Sequence, residues 1–347
     1  MYKNRLNLRS VVVIAICLAG MTVFSGCNKE NDKGNGNGIS GGTGVYVAGS
    51  AGSPFRAVLW KNGNAHYISD ENYTVASSVF VSGNDVYVAG RESAQAILWK
   101  NGIRQNLTDG TKHAYVHSVF VSGSNVYVVG NESNEQGYNV AVLWKNSEKQ
   151  NLTDGTEHAY ANSVFVAGND IYVAGRDDKT KPQGSAILWK NGVSQRLSGE
   201  VSHANSVYVA GNDVYVAGFS IVPKIGIWGY YTYATLWKNG VPQYLTDGMS
   251  ELTDAYSVFV SGNDVYVAGE LDKQAILWKN GEKQNLTNGT NESSANSVFV
   301  SGNNVYITGS ECNAQGTYVA KLWKNGILQS LADENNNSYV NSVFVVE

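Results

Sequence analysis

From Val45 onward the apolar residues of the chain fall into short runs, separated by polar turns, with no helical spacing in any of them. The run "VYVAG", or a close variant, starts at Val45, Val86, Val126, Ile171, Val214, Val265 and Val305. "LWKN" recurs with its tryptophan at positions 60, 99, 144, 189, 237, 278 and 323. "SV(F/Y)V" starts at Ser78, Ser118, Ser163, Ser206, Ser257, Ser297 and Ser342. Runs of β-branched and aromatic residues bounded by Gly, Asn, Asp and Ser read as strands. Three runs in seven copies mark a repeat, and the repeat decides the fold.

In the copy that begins at Ser78, the first strand is "SVFV", the link Ser82–Asp85 turns the chain, and "VYVAG" is the second strand. After a variable link comes "AILWK", then Asn101-Gly102, a dipeptide that supplies the two positive φ angles of a type I′ hairpin. The fourth strand is "QNL", Gln105–Leu107. Four antiparallel strands in a unit of about 40 to 50 residues match a propeller blade. The runs are apolar at nearly every position, as expected of strands covered on both faces. Blades arranged around an axis give that cover, whereas an open solenoid needs atypical capping units, and none is visible here. The sequence therefore predicts an all-β fold, a seven-bladed β-propeller over residues 41–347. The first "VYVAG" has no "SVFV" before it, and the last "SVFV", at Ser342, has no "VYVAG" after it. These two should pair in one blade and close the ring, hiding two sheet edges.

The repeated residues are read as scaffold. A tryptophan at the same phase of every copy is explained by packing, each worth at most about 5 kcal/mol if wholly buried. The acids of the "LTDG" segments, Asp109, Asp154 and Asp247, stand where turns favour Asp before Gly. The third copy has Asn146-Ser147 in place of Asn-Gly, at a cost of about 1 kcal/mol for a serine at positive φ.

Antiparallel order sorts the links onto two faces. The near-constant "SGND" and "NG" links share one face, and the links of variable length share the other, where binding residues on a rigid scaffold belong. Two features stand out there. The residue before each "SV(F/Y)V", namely Ser77, His117, Asn162, Asn205, Tyr256, Asn296 and Asn341, is expected to rim the central channel, either capping strand ends or forming a hydrogen-bonding funnel. The fifth copy carries a long insertion, Phe219–Thr235, with Trp228, Tyr230, Tyr231 and Tyr233, read either as a packed two-stranded extension or as an aromatic platform for a sugar or a partner protein.

The first 44 residues are of another kind. Lys3, Arg5 and Arg9 precede an apolar run from Val11 to Phe24, too short for a span, and Ser25 and Gly26 lead into Cys27. "VFSGC" resembles the lipobox of bacterial lipoproteins, which implies a signal peptide over residues 1–26 and lipidation of Cys27. "NKENDKGNGNG" then reads as a flexible tether, residues 27–40, and its acidic start resembles the surface-export tag of Bacteroidota lipoproteins. A lipid-anchored, outer-membrane location follows from these resemblances, with exposure at the cell surface. Cys17 falls within the signal segment and Cys27 carries the lipid, so Cys312 has no disulfide partner and reads as a spare thiol. The whole chain carries 25 basic against 29 acidic residues, and loss of the three basic residues named above leaves 22 against 29, a net charge of −7. Such a surface disfavours nucleic acid.

The repeat resembles the superfamily of PQQ-like, kelch-like and related bacterial propellers. It lacks the WD dipeptide and the kelch double glycine, so no repeat family's function carries over. No cofactor or metal motif is present. The five histidines, 66, 113, 117, 158 and 203, lack a helix that would make a zinc pair of His113 and His117. Carboxylates for glycoside cleavage would have to come from Asp177, Asp178, Glu200 and Glu251. The sequence is read as a monomeric, non-catalytic binding propeller for a glycan or a protein. The alternative is a propeller glycosidase or polysaccharide lyase.

Overall fold

A computed structural model describes residues 39–179, 183–224, 229–250 and 252–347. Twenty-eight strands, β1 to β28 in chain order, fill these residues, and no helix occurs among them. They form seven antiparallel sheets of four strands each, the seven blades of a propeller. Blade 2 is β4 (Thr74–Ser82), β5 (Asp85–Glu92), β6 (Gln95–Lys100) and β7 (Ile103–Asn106). Blades 3 to 7 repeat this order and begin with the inner strands β8 (Ala114–Ser122), β12 (Ala159–Ala167), β16 (Val201–Ala210), β20 (Thr253–Ser261) and β24 (Ser293–Ser301). Blade 1 is composite: β28 (Ser338–Val346) lies inside β1 (Gly44–Ala51), β2 (Arg56–Lys61) and β3 (Asn64–Tyr67). Tyr46 sits opposite Phe344 in that pairing, which closes the ring as the sequence predicts.

The core lies between blades. All seven repeat tryptophans are at most 1% exposed. Trp99 packs with Val79 and Ile97 of its own blade and with Tyr46 and Leu59 of blade 1. These indoles are therefore closed to any ligand. The outermost strands are four residues long and exposed throughout, short enough to offer a poor template for edge-to-edge pairing.

The hairpin turns follow the sequence. Asn101 and Gly102 have φ of 54° and 79°, and in blade 3 Asn146 and Ser147 hold the same geometry at 51° and 69°.

The inner strands depart from the sequence reading. They begin four or five residues early, at Thr74 rather than Ser78 in blade 2 and at Val201 rather than Ser206 in blade 5, and each contains a β-bulge. The register shifts between Ala76 and Ser78, so Ser77 has no cross-strand partner, and the same shift recurs in all seven blades. The final glycine of "VYVAG" permits it. A Cβ on Gly90 would lie 2.0 Å from the carbonyl oxygen of Val75, a clash that no side chain escapes.

Seven narrow sheet edges converge on the axis, and two girdles join them. The hydroxyl of the "SV(F/Y)V" serine accepts a hydrogen bond from a backbone amide of the next blade: Ser78 from Val119, and so around the ring to Ser342 from Val79, at 3.1 to 3.3 Å. Below it, Phe80, Phe120, Phe165, Tyr208, Phe259, Phe299 and Phe344 form an aromatic collar with neighbouring centroids 4.7 to 4.9 Å apart.

Both girdles pass through β28. Deleting residues 342–347 should therefore abolish the single cooperative thermal transition of the domain, as read by calorimetry. An unchanged melting profile would show that closure does not hold the ring.

Candidate functional site

At the constant face the hairpin asparagines are engaged by the scaffold. The hairpin asparagine accepts from the amide of the residue that opens "VYVAG" in all seven blades, as Asn101 does from Val86 at 2.8 Å. Asn101 also donates to Asp85, which pairs with Lys100 at 2.8 Å. Asp170, Asp213 and Asp264 repeat that ion pair. Lys100, beside Asp85, holds that carboxyl below the usual range. A pocket of about 320 Å³ beside Asp264, Lys279 and Asn303 also lies on this face.

The bulge rearranges the channel at the variable face. It places two successive side chains of each inner strand toward the axis, Ser77 together with Ser78, and brings Val75 round to the same side. The seven residues expected just ahead of the strand are thus the bulge residues within it. Four of them bind the neighbouring blade: Asn162, Asn205, Asn296 and Asn341 each donate to a carbonyl of the next blade, those of Ala204, Ala255, Val340 and Ala76, at 2.7 to 3.2 Å. His117 Nε2 meets Asn131 Oδ1 at 3.1 Å, and Tyr256 bonds to Glu270. The asparagine amides cap strand backbone, and the His117 and Tyr256 rings bond to side chains of the second strands.

Above the bulge residues, nearest the variable links, lies a rung on which each blade is individual. The inner strands supply Tyr339, Val75, Tyr115, Tyr160, His203, Asp254 and Ser294, paired across with Ser50, Arg91, Asn131, Arg176, Phe219, Glu270 and Ser310 of the second strands. Charge is sorted around this rung. Blades 2 and 4 carry arginines, and blade 6 carries two carboxylates.

On the basic side, Arg176 Nη1 donates to His203 Nε2 at 2.7 Å, and its guanidinium lies 4.4 Å from the centre of the Tyr160 ring. The same imidazole nitrogen lies 3.0 Å from the Gln183 carbonyl, and burial with the nearby Arg176 charge pulls the His203 pKa down to about 4. Burial and Arg91 likewise lower His117. On the acidic side, Asn205 donates to Asp254 at 2.8 Å. Burial, with Glu270 alongside, pushes the Asp254 carboxyl well up, and burial raises Glu270 also. Two neighbouring carboxylates and a hydrogen-bonded Tyr256 can hold and exchange protons, or accept hydroxyl hydrogen bonds.

The insertion of the fifth copy is a two-stranded extension. β17 (Asp213–Pro223) and β18 (Tyr230–Lys238) continue beyond the blade, pairing Pro223 with Tyr230. Tyr230 is 66% exposed. Tyr231 and Tyr233 line the opposite face with Tyr244, the last two rings stacked at 4.1 Å, and Lys224 lies over Tyr231. Trp228 and Glu251 lie outside the described residues. A groove of about 650 Å³ between blades 1 and 2 is also on this face, but its Glu92 is already held by Ser69 and Arg104.

The other candidates are local. Asp109 and Asp154 accept from the amide and hydroxyl of the threonine two residues on, Asp247 from the amide of Met249, as turns require. These contacts with Thr156 lower Asp154 to about 2. His158 accepts from the amide of Asn139, and His66 and His113 are exposed. Burial raises Asp177 and Asp178. Cys312 is a free, half-buried thiol.

No family model and no curated protein matches the sequence. Among solved structures, the β-propeller domain of the trilobed protease from Pyrococcus furiosus, described as having an open velcro topology, superposes with a TM-score of 0.50 at 11% identity, over 81% of this chain and 88% of that one. An α-L-arabinofuranosidase from Fusarium graminearum gives 0.47 at 8% identity, over 78% and 93%. A chain of a mitotic checkpoint complex gives 0.45 at 13%, over 80% and 95%. The likeness is one of fold alone. In this propeller, unlike an open ring, β1 and β28 are joined by a full antiparallel ladder.

Arg91, Asn131, Arg176, Asp254 and Glu270 escaped the sequence reading. Four of them directly follow "VYVAG" or its variant, a phase at which the copies read Ser, Arg, Asn, Arg, Phe, Glu and Ser, so comparison of that one phase exposes the set. Asp254 differs in kind, since its role depends on the bulge.

A carboxyl whose pKa rises on folding binds its proton more tightly in the native state. It costs nothing below its unfolded pKa and lowers stability as pH climbs through the native value. Asp254→Asn should therefore raise the melting temperature at pH 7, and the gain should vanish by about pH 3. Thermal melts at the two pH values measure this, and a destabilised variant at pH 7 would show that the charge serves the fold.

Proposed function

We propose that the chain is a binding propeller that takes a glycan at the variable face, in the channel mouth formed by the seven individual rung positions. The observation that carries this reading is the contrast between the two ends of the same strands. At the constant end the hairpin asparagines repeat and are bonded to scaffold in all seven blades, whereas at the variable end the rung differs from blade to blade and carries two arginines and two carboxyl groups. Of the aromatic rings at that level, Tyr115 is 37% exposed with Arg91 over one face, which leaves it for sugar C–H groups, and Tyr231, Tyr233 and Tyr244 form a second aromatic row on blade 5. The bulge residues His117, Asn162, Asn205, Tyr256, Asn296 and Asn341 form the polar wall, and Tyr230 with Trp228 belongs to the insertion beyond it.

Lipidation at Cys27 would tether this monomeric domain to the outer membrane with the propeller at the cell surface. The resemblance of "VFSGC" to a lipobox supports that placement.

A second reading, a propeller glycosidase or lyase, draws on one observation: Asp254 and Glu270 face each other across β20 and β21 (Asp264–Leu271), both with raised pKa, beside Tyr256. A protonated carboxyl next to an ionised one suits glycosidic acid catalysis.

The readings separate by experiment. Titrating the purified protein with a panel of neutral and acidic oligosaccharides should raise its melting temperature by several degrees for at least one of them, with the sugar recovered intact by chromatography. Recovery of shortened products assigns the enzyme reading, and no stabilisation by any glycan overturns glycan binding. In cells, Cys27→Ser should move the protein from the membrane fraction to the soluble one.

A further inference from the structure

Three neighbouring blades present Arg91, Asn131 and Arg176 from the same rung of β5, β9 (Asn125–Ser133) and β13 (Asp170–Asp177). Neither guanidinium has a carboxylate partner at ion-pair distance among the described residues. Each is instead braced by an aromatic ring, Arg91 at 5.0 Å from the centre of Tyr115 and Arg176 at 4.4 Å from that of Tyr160. Arg176 Nη1 also bonds to His203 Nε2 of blade 5 and to the Gln183 carbonyl, and Arg91 Nη1 to the Ser93 carbonyl. The remaining guanidinium donors stay available with the planes fixed, an arrangement suited to a planar anion.

Between them stands Asn131. It is 1% exposed, its Oδ1 is held by His117, and its Nδ2 has no partner among the described residues. A buried donor left unbonded lowers stability, and such groups in native proteins call for a reason. A ligand acceptor arriving between the two arginines supplies one.

The opposite wall sets the rest of the ligand. In a seven-membered ring, blade 6 stands across the axis from blade 3, and there Asp254 and Glu270 present carboxyl groups that hydrogen-bond to hydroxyls. One end of the ligand must be negative and the other rich in hydroxyl donors, with an apolar face against Tyr115, which is 37% exposed.

We infer that the mouth is specific for a sugar acid, whose carboxylate is received by Arg91, Asn131 and Arg176 and whose hydroxyls point toward Asp254 and Glu270. This rests on the binding reading above and names its substrate class. The two arginines are specificity residues, because a neutral sugar leaves them and Asn131 unanswered.

The test is calorimetric titration of the purified protein with oligogalacturonate, oligoglucuronate, the neutral oligogalactose and a sulfated oligogalactose. At least one uronate should bind tenfold or more tightly than the neutral sugar, and weaken as salt rises. Arg91→Gln and Arg176→Gln should each weaken the uronate tenfold or more at unchanged melting temperature. If either glutamine variant fails to fold, Arg91→Lys and Arg176→Lys keep the charge but lose the fork, and the same weakening is expected. Equal binding of neutral and acidic sugars, arginine variants without effect, or preference for the sulfated sugar overturns the assignment while glycan binding stands. Binding of no sugar at all overturns both.

Discussion

Seven blades can share an axis only if the backbone amides on their innermost edges find partners where there is little room for water. The serine of each "SV(F/Y)V" answers this: its hydroxyl accepts the amide of the next blade, and the circuit of seven ends where it began, between Ser342 and Val79. The rest follows from that junction. The serine must face the axis, so the aromatic residue two places on faces it as well and joins the collar, while the intervening valine turns back into the space between blades. A donor and an acceptor supplied by different blades also fix the rotation of one blade on the next, since a buried amide without a partner costs about 1 to 3 kcal/mol.

The β-bulge lets one strand serve two ends. Without it, strict alternation from Phe80 would turn Ala76 and Thr74 toward the axis and hide Val75 and Ser77. With it, the phase of the strand changes halfway, small residues pack against the neighbouring blade, and the positions free to vary come to line the channel. The glycine that closes every "VYVAG" is the counterpart of this device, because only hydrogen fits where the bulged carbonyl approaches.

This also explains what could be read from the letters. Blade number, strand order, the Asn-Gly hairpins and ring closure were legible because each rests on a residue type whose chemistry is the same in seven places. Tryptophan is buried in every copy and asparagine adopts positive φ in every copy. The channel mouth was less legible. The residues expected to rim it sit inside the strand, displaced by a bulge whose only sequence trace is a glycine on the partner strand. Arg91, Arg176 and Glu270 follow a constant phrase and so look like its trailing edge. Asp254 precedes the phrase by three positions, where alternation without a bulge points it away from the axis.

Closure has a cost in time. β1 occupies the interior of its sheet, between β28 and β2, yet one of those neighbours is separated from it by almost the whole length of the domain. During synthesis β1 and β2 emerge early and wait with one long, apolar edge unpaired while six further blades are made. Contacts so remote in sequence form late, and an unpaired edge is what intruding strands seek. The nascent chain is therefore at its most vulnerable just before its last strand arrives, and a cell that makes this protein must keep that first edge covered until then.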